Sequence, residues 1–122
     1  MMAIEAEVYD WRGDAETSEV AADRFEESGK PATARALART AGGQWLQASY
    51  YAEMVSLEKA LAHAQRAERC YRRGMGQPQT RAVQNRIQRL QNEIRQKSER
   101  DAVWLAGLAA TPDQGGDREG GA

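Results

Sequence analysis

The chain has one cysteine, one histidine, one phenylalanine and three prolines in 122 residues. A lone cysteine, Cys70, cannot close an internal disulfide, and a lone histidine, His63, cannot supply the two or more nitrogen ligands of most zinc sites. Leu, Ile, Val and Phe together number only 16, whereas alanine alone contributes 22. The interior must therefore be built by packing helices closely on small side chains, because alanine is the strongest helix former and bulky aliphatics are scarce. No apolar run approaches the roughly 20 residues that span a bilayer, and the acidic N-terminal stretch has neither the basic start nor the apolar core of a signal peptide. These absences point to a cytoplasmic location, with no role at a membrane.

Charge is present in quantity and unevenly placed, although the formal net value is −1. Residues 1–30 hold nine acids against Arg12, Arg24 and Lys30, whereas residues 66–100 hold ten bases against Glu68, Glu93 and Glu99. The chain is thus polarised, with an acidic beginning and a basic second half.

Periodicity predicts an all-α protein: a long antiparallel helical hairpin with two short N-terminal helices packed on it, in one domain over 1–110. Residues 3–11, AIEAEVYDW, fit helix, strand or coil, and Arg12-Gly13-Asp14 reads as a turn. The first expected helix covers 14–28, with Val20, Ala21 and Phe25 on one side and Glu16, Glu19, Asp23 and Glu27 on the other. Acids at helical spacing repel one another, so this stripe calls for a positive counterpart, inside or outside the chain. Gly29 and Pro31 mark the stop of that helix and the start of the next, over 31–41.

Gly42-Gly43 reads as a break, after which 44–73 forms a single long helix whose stripe is Leu46, Tyr50, Met54, Leu57, Leu61, Ala64, Glu68 and Tyr71. Helix four, 78–109, carries Val83, Ile87, Leu90 and Ile94 in the same alternating spacing, in phase with Leu105 and Leu108. Folding the two about the turn at 74–77 pairs Leu61 with Leu90 and Leu46 with Leu105. That register sets Lys97 beside Met54 and Asp101 beside Tyr50, and Ser98 to Asp101 has the look of a capping box at which helix four breaks or restarts. The remainder, 111–122, has no large apolar residue and is expected to be a disordered tail.

No arrangement of residues points to catalysis. Cys70 lies near the end of its helix, where the dipole disfavours a thiolate, and His63 has no carboxylate at three- or four-residue spacing to orient it. No phosphate-loop lysine follows Gly74 or Gly76. The chain is expected not to be an enzyme and to carry no cofactor or metal.

Binding is the remaining class. Arg66, Arg69, Arg72, Arg73 and Arg81 gather about the turn, Arg86 and Arg89 follow on helix four, and Tyr71 lies among them. With Glu16, Glu19, Asp23 and Glu27 they form the expected partner-binding set. The reading is a non-catalytic protein–protein interaction module, an adaptor, assembly subunit or small inhibitor of the kind a phage or mobile element carries, meeting an acidic or charge-complementary protein. Homo-oligomers are compatible with the heptad seams. The alternative is a nucleic-acid-binding protein that uses the arginine-rich turn, with Tyr71 stacking on a base. Trp45, Tyr50, Tyr51, Trp104 and Trp11 are expected together near one end, as a core cap or as binding hot spots.

Overall fold

A computed structural model describes the backbone of residues 3–121 and the side chains of residues 3–110. The described residues form four helices: α1 (Ala3–Glu27), α2 (Pro31–Glu53), α3 (Leu57–Arg73) and α4 (Gln77–Gly121). Two compact units share α4, one of residues 1–91 and one of residues 92–122. The expectation of disorder over 111–122 falls where side chains are not described.

The all-α class holds, and the division into helices differs from expectation. Residues 3–11 are helical, and Arg12-Gly13-Asp14 lies inside α1 and not in a turn. The helix ends as its sequence indicates: Gly29 takes φ 76°, its N–H donates to the Glu26 carbonyl at 3.1 Å and the Lys30 N–H donates to the Phe25 carbonyl at 2.9 Å. This is the Schellman closure, in which a left-handed residue lets the chain satisfy two orphan carbonyls; Lys30 lies over the Phe25 ring, and Pro31 opens α2.

The expected break at Gly42-Gly43 does not occur. Both residues lie inside α2, because Gly42 is a seat and not a stop: a Cβ there would lie 2.9 Å from Cδ1 and Cγ of Tyr71, so only glycine lets that ring lie flat on the helix. The break comes instead at Met54-Val55-Ser56, so no single helix runs from 44 to 73. Two N–H groups, of Val55 and Ser56, share the Ala52 carbonyl in a tightened last turn, and Ser56 then caps α3 by accepting the Lys59 N–H at 3.2 Å. With the helix broken, Tyr50 and Met54 turn outward, 47% and 68% exposed, and leave the buried stripe to other residues.

That stripe is mostly alanine. Along α2 it runs Ala34, Ala38, Ala41, Trp45, Ala48 and Ala52, and along α3 Ala60, Ala64, Ala67 and Tyr71, in steps of four and three. Ala15 and Ala22 complete it from α1, and Val83 and Leu90 from the first part of α4. Side chains of one carbon let α2 approach both α1 and α3 closely, and Trp11, Leu46, Leu57, Leu61 and Ile87 close the margins.

At the far end of α3 the same Schellman closure recurs, with the Gly76 N–H donating to the Tyr71 carbonyl at 2.8 Å and the Met75 N–H to the Arg72 carbonyl at 3.0 Å. Here the left-handed position is held by Met75, φ 59°, a residue that adopts this conformation only at some cost. The Gly74 carbonyl beside it accepts from Arg39 Nη1 at 2.6 Å, which ties the turn to the start of α2.

Beyond Gln91, α4 continues through Ser98–Asp101 without a break, which decides the point the capping-box pattern there left open. Trp104 and Leu105 are 65% and 58% exposed, so the apolar seam expected to reach Leu105 does not bury it.

Candidate partner-binding surfaces

Two polar hubs hold the first unit together, and they absorb much of the charge that the sequence offered for partners. The first is Glu19 on α1. Its Oε2 accepts from the Trp45 indole N–H at 2.9 Å and from Arg66 Nη2 at 3.2 Å, and its Oε1 accepts from the Cys70 thiol at 3.4 Å. Arg66 also lies 4.8 Å from the Trp45 ring centroid, a cation–π contact that covers the indole. One carboxylate thereby joins α1 to both α2 and α3. A turn further on, Asp23 and Glu26 both grip Arg73 Nη2 at 2.7 Å. The acidic stripe of α1 has its positive counterpart inside the chain, and Arg66, Arg73, Glu19 and Asp23 are members of that internal clamp.

The second hub is Arg86. Its side chain is 7% exposed, its Nε donates to Ser49 Oγ at 3.1 Å, its Nη2 lies 2.9 Å from Glu53 Oε1, and its guanidinium lies 4.2 Å from the Tyr50 ring centroid. Ser49, fully buried, passes its own hydrogen to the Ala60 carbonyl at 2.7 Å. Arg89 reaches the same Glu53 carboxylate at 3.0 Å. These bonds hold the Glu53 carboxyl below its ordinary value, with the hydrogen bond from Arg89 the largest cause, partial burial opposing it and Arg86 adding to it. Arg86 and Arg89 are thus a strut between α4, α2 and α3. Tyr71 is buried against Gly42 and cannot stack on a base.

Of the expected set only Tyr71 and Arg86 are buried and Glu19 is half-buried; Asp23, Arg66, Arg73 and Arg89 are exposed even while paired. Arg69 and Arg81 are exposed, and Arg72 is exposed while paired to Glu68 at 3.0 Å. Arg72, Met75, Thr80 and Arg81 surround an open hollow of about 380 Å³ at the turn. On α1, Glu16 is exposed and pairs loosely with Arg12 at 4.0 Å, and Glu27 is exposed in the last turn. Salt bridges of this exposed kind contribute about 0–1 kcal/mol and leave their members available to a partner.

Neither candidate for chemistry gains from its surroundings. The Cys70 thiol is pushed up to about 12, by burial first and then by the Glu19 carboxylate, so it is protonated and unreactive at neutral pH. His63 stacks on Trp45 at 5.4 Å between centroids, and its pKa is lowered by burial and then by Arg12, Lys59 and Arg66. Among the described residues no group of three or more His, Cys, Asp or Glu side chains could hold a metal ion, and no helix is long and apolar enough to cross a membrane.

The first-unit members of the expected aromatic cluster have distinct surroundings. Trp45 is 2% exposed at the Glu19 hub, Trp11 packs on the core margin, and Tyr50 is the outer cover of Arg86. Trp104 lies in the second unit. There, residues 102–110 of α4 read AVWLAGLAA, with no charged side chain and the Trp104 indole N–H as the one side-chain polar group, and Val103, Trp104, Leu105 and Leu108 are 74%, 65%, 58% and 48% exposed. The signal was in the sequence: nine residues apolar all round a helix need cover on every side, which one seam to a neighbouring helix cannot give.

Comparison with protein-family models, with curated proteins and with solved structures found no match to this chain.

Proposed function

We propose that the protein is a non-catalytic interaction module, an adaptor, assembly subunit or small inhibitor, whose docking element is the apolar stretch 102–110 of α4. The observation that carries this reading is the exposure of Val103, Trp104, Leu105 and Leu108 together on nine residues whose one side-chain hydrogen-bonding group is the Trp104 indole N–H. Covering Trp104 alone contributes about 2–3 kcal/mol of apolar burial, and tryptophan is among the residue types that dominate hot spots. The exposed Arg69, Arg72 and Arg81 add a preference for an acidic surface near the α3–α4 turn.

A capture experiment from cells that express the protein natively tests the reading with two variants, Leu105→Glu and a triple change of Arg69, Arg72 and Arg81 to Glu. Loss of bound protein with Leu105→Glu is expected, with partial loss for the triple change. If every partner survives Leu105→Glu, the apolar stretch is not the docking element.

The nucleic-acid reading loses Arg86 and Tyr71, which are buried, and rests chiefly on Arg69, Arg72 and Arg81, since Arg66, Arg73 and Arg89 would have to give up pairs with carboxylates of other helices. Three phosphate contacts give a salt slope of only about −3 on a logarithmic scale, and binding to random duplex or single strand that vanishes at moderate salt sets this reading aside.

A further inference from the structure

We propose that the partner of the second unit is a second copy of the same chain, paired antiparallel through residues 94–104 about a two-fold axis near residue 99, with Lys97 of each copy facing Asp101 of the other. The inference rests on the reading of 102–110 as a docking element and names its occupant.

The heptad of α4 carries the argument. Val83, Ile87 and Leu90 occupy alternating d and a positions in the first unit, and the same count continues through Ile94, Lys97, Asp101, Trp104 and Leu108. In an antiparallel pair an a position packs against a d position of the other helix. Numbering outward from residue 99 then sets Ile94 against Trp104 and Lys97 against Asp101, each twice by symmetry. Two charged residues that spoil any apolar seam become two ion pairs at the centre of this one, flanked on each side by an Ile–Trp contact.

The neighbouring registers fail on the same residues. A parallel pairing stacks Lys97 on Lys97 and Asp101 on Asp101. Sliding the antiparallel pair one heptad one way sets Asp101 against Trp104 and Lys97 against Leu108; one heptad the other way sets Ile94 against Lys97. Each of these leaves a charge desolvated without a partner, which polar seam positions are known to penalise strongly enough to fix register and orientation.

The side chains are available for this. Lys97 and Asp101 are exposed and form no ion pair among the described residues, whereas Arg95 and Glu99 approach each other at 4.0 Å on the side away from the seam. Half-buried Ile94 and exposed Trp104 become four apolar side chains when doubled by the two-fold. The two tryptophans contribute about 300–500 Å² of that contact, the scale of a weak, concentration-dependent pairing. An isologous pairing of this kind closes on itself and leaves no sticky end.

Sedimentation equilibrium of the full chain at 1–200 µM, on the order of ordinary homodimer affinities, tests the register by charge exchange. Wild type is expected to dimerise, Lys97→Asp and Asp101→Lys each to weaken dimerisation about tenfold or more by placing like charges together, and the double variant to recover it. Circular dichroism of each variant checks that the helices are intact, which exposed substitutions leave so. A wild type that stays monomeric overturns the proposal, as does a single exchange that dimerises as well as wild type or a double variant that does not recover. A monomeric wild type that nonetheless captures another protein through Leu105 overturns self-pairing and leaves the interaction module standing, whereas the absence of both removes both.

Discussion

Gly42 and Gly13 are both helical glycines, and they should respond to alanine in opposite directions. At Gly13 a Cβ meets nothing within 4 Å, so Gly13→Ala is expected to stabilise by about 0.5–1 kcal/mol through reduced backbone entropy of the unfolded chain. At Gly42 the same methyl group drives into the Tyr71 ring, and overpacking of this kind costs about 1–3 kcal/mol. Urea unfolding of the two variants side by side checks the sign of each; equal stabilisation would show that the ring moves aside freely.

His63, the only histidine, should make stability depend on pH near neutrality. Its folded pKa lies below the ordinary 6.5, because burial beside Trp45 from α2 and the charges of Arg12 from α1 and of Lys59 and Arg66 from α3 oppose protonation. The unfolded chain therefore takes up a proton that the folded chain refuses. Stability is full above about pH 6.5 and falls as the pH is lowered through that value toward the folded pKa. Unfolding at pH 7.5 and 5.5, which bracket it by about a unit, should show a loss that His63→Gln abolishes. Glu53 acts further down, contributing stability above its ordinary 4.5 that is lost as the pH falls below it.

At the level of the elements, α2 and α3 depend on Ser49. Ser49→Ala removes the acceptor of the buried Arg86 Nε and should cost about 1–3 kcal/mol, the usual result of stranding a buried donor. Ser49→Thr, which keeps the hydroxyl, should recover part of the loss unless the extra methyl group is too tight. The same region shows how far the sequence could be read. Helical class, the Gly29–Pro31 junction and the turn after Arg73 were legible, because each carries the local chemistry of a helix end. Gly42-Gly43 misled, since the signature of a stop is identical to that of a close approach, and what separates them is Tyr71, 29 residues away in sequence. The true end of α2 at Met54-Val55-Ser56 was hidden for the opposite reason: it has neither glycine nor proline, and its one signal is the serine that caps α3. Met75 shows the same ambiguity, a left-handed position with glycine on either side of it but not in it. Among the site residues, charge alone could not distinguish Arg73, which closes the clamp on Asp23 and Glu26 of α1, from Arg69, which is no part of that clamp.

At the scale of the whole molecule, the polarised charge proved to be largely internal wiring, and the exposed apolar stretch of α4 became the feature that asks for a partner. Amide hydrogen exchange followed against protein concentration separates the two units. Protection over 94–104 should rise with concentration as copies pair, and protection over α2 and α3 should not, since their cover is intramolecular. Concentration-independent exchange throughout would contradict pairing.

The alanine-lined interior has a thermal consequence. Alanine exposes little hydrocarbon on unfolding, and the heat capacity increment scales with that exposure, so calorimetry should find the increment below the usual 12–15 cal/mol/K per residue or so. A small increment flattens the curve of free energy against temperature. The protein should hold a modest stability over an unusually broad range, with its cold limit far below freezing, and lose it gradually on heating.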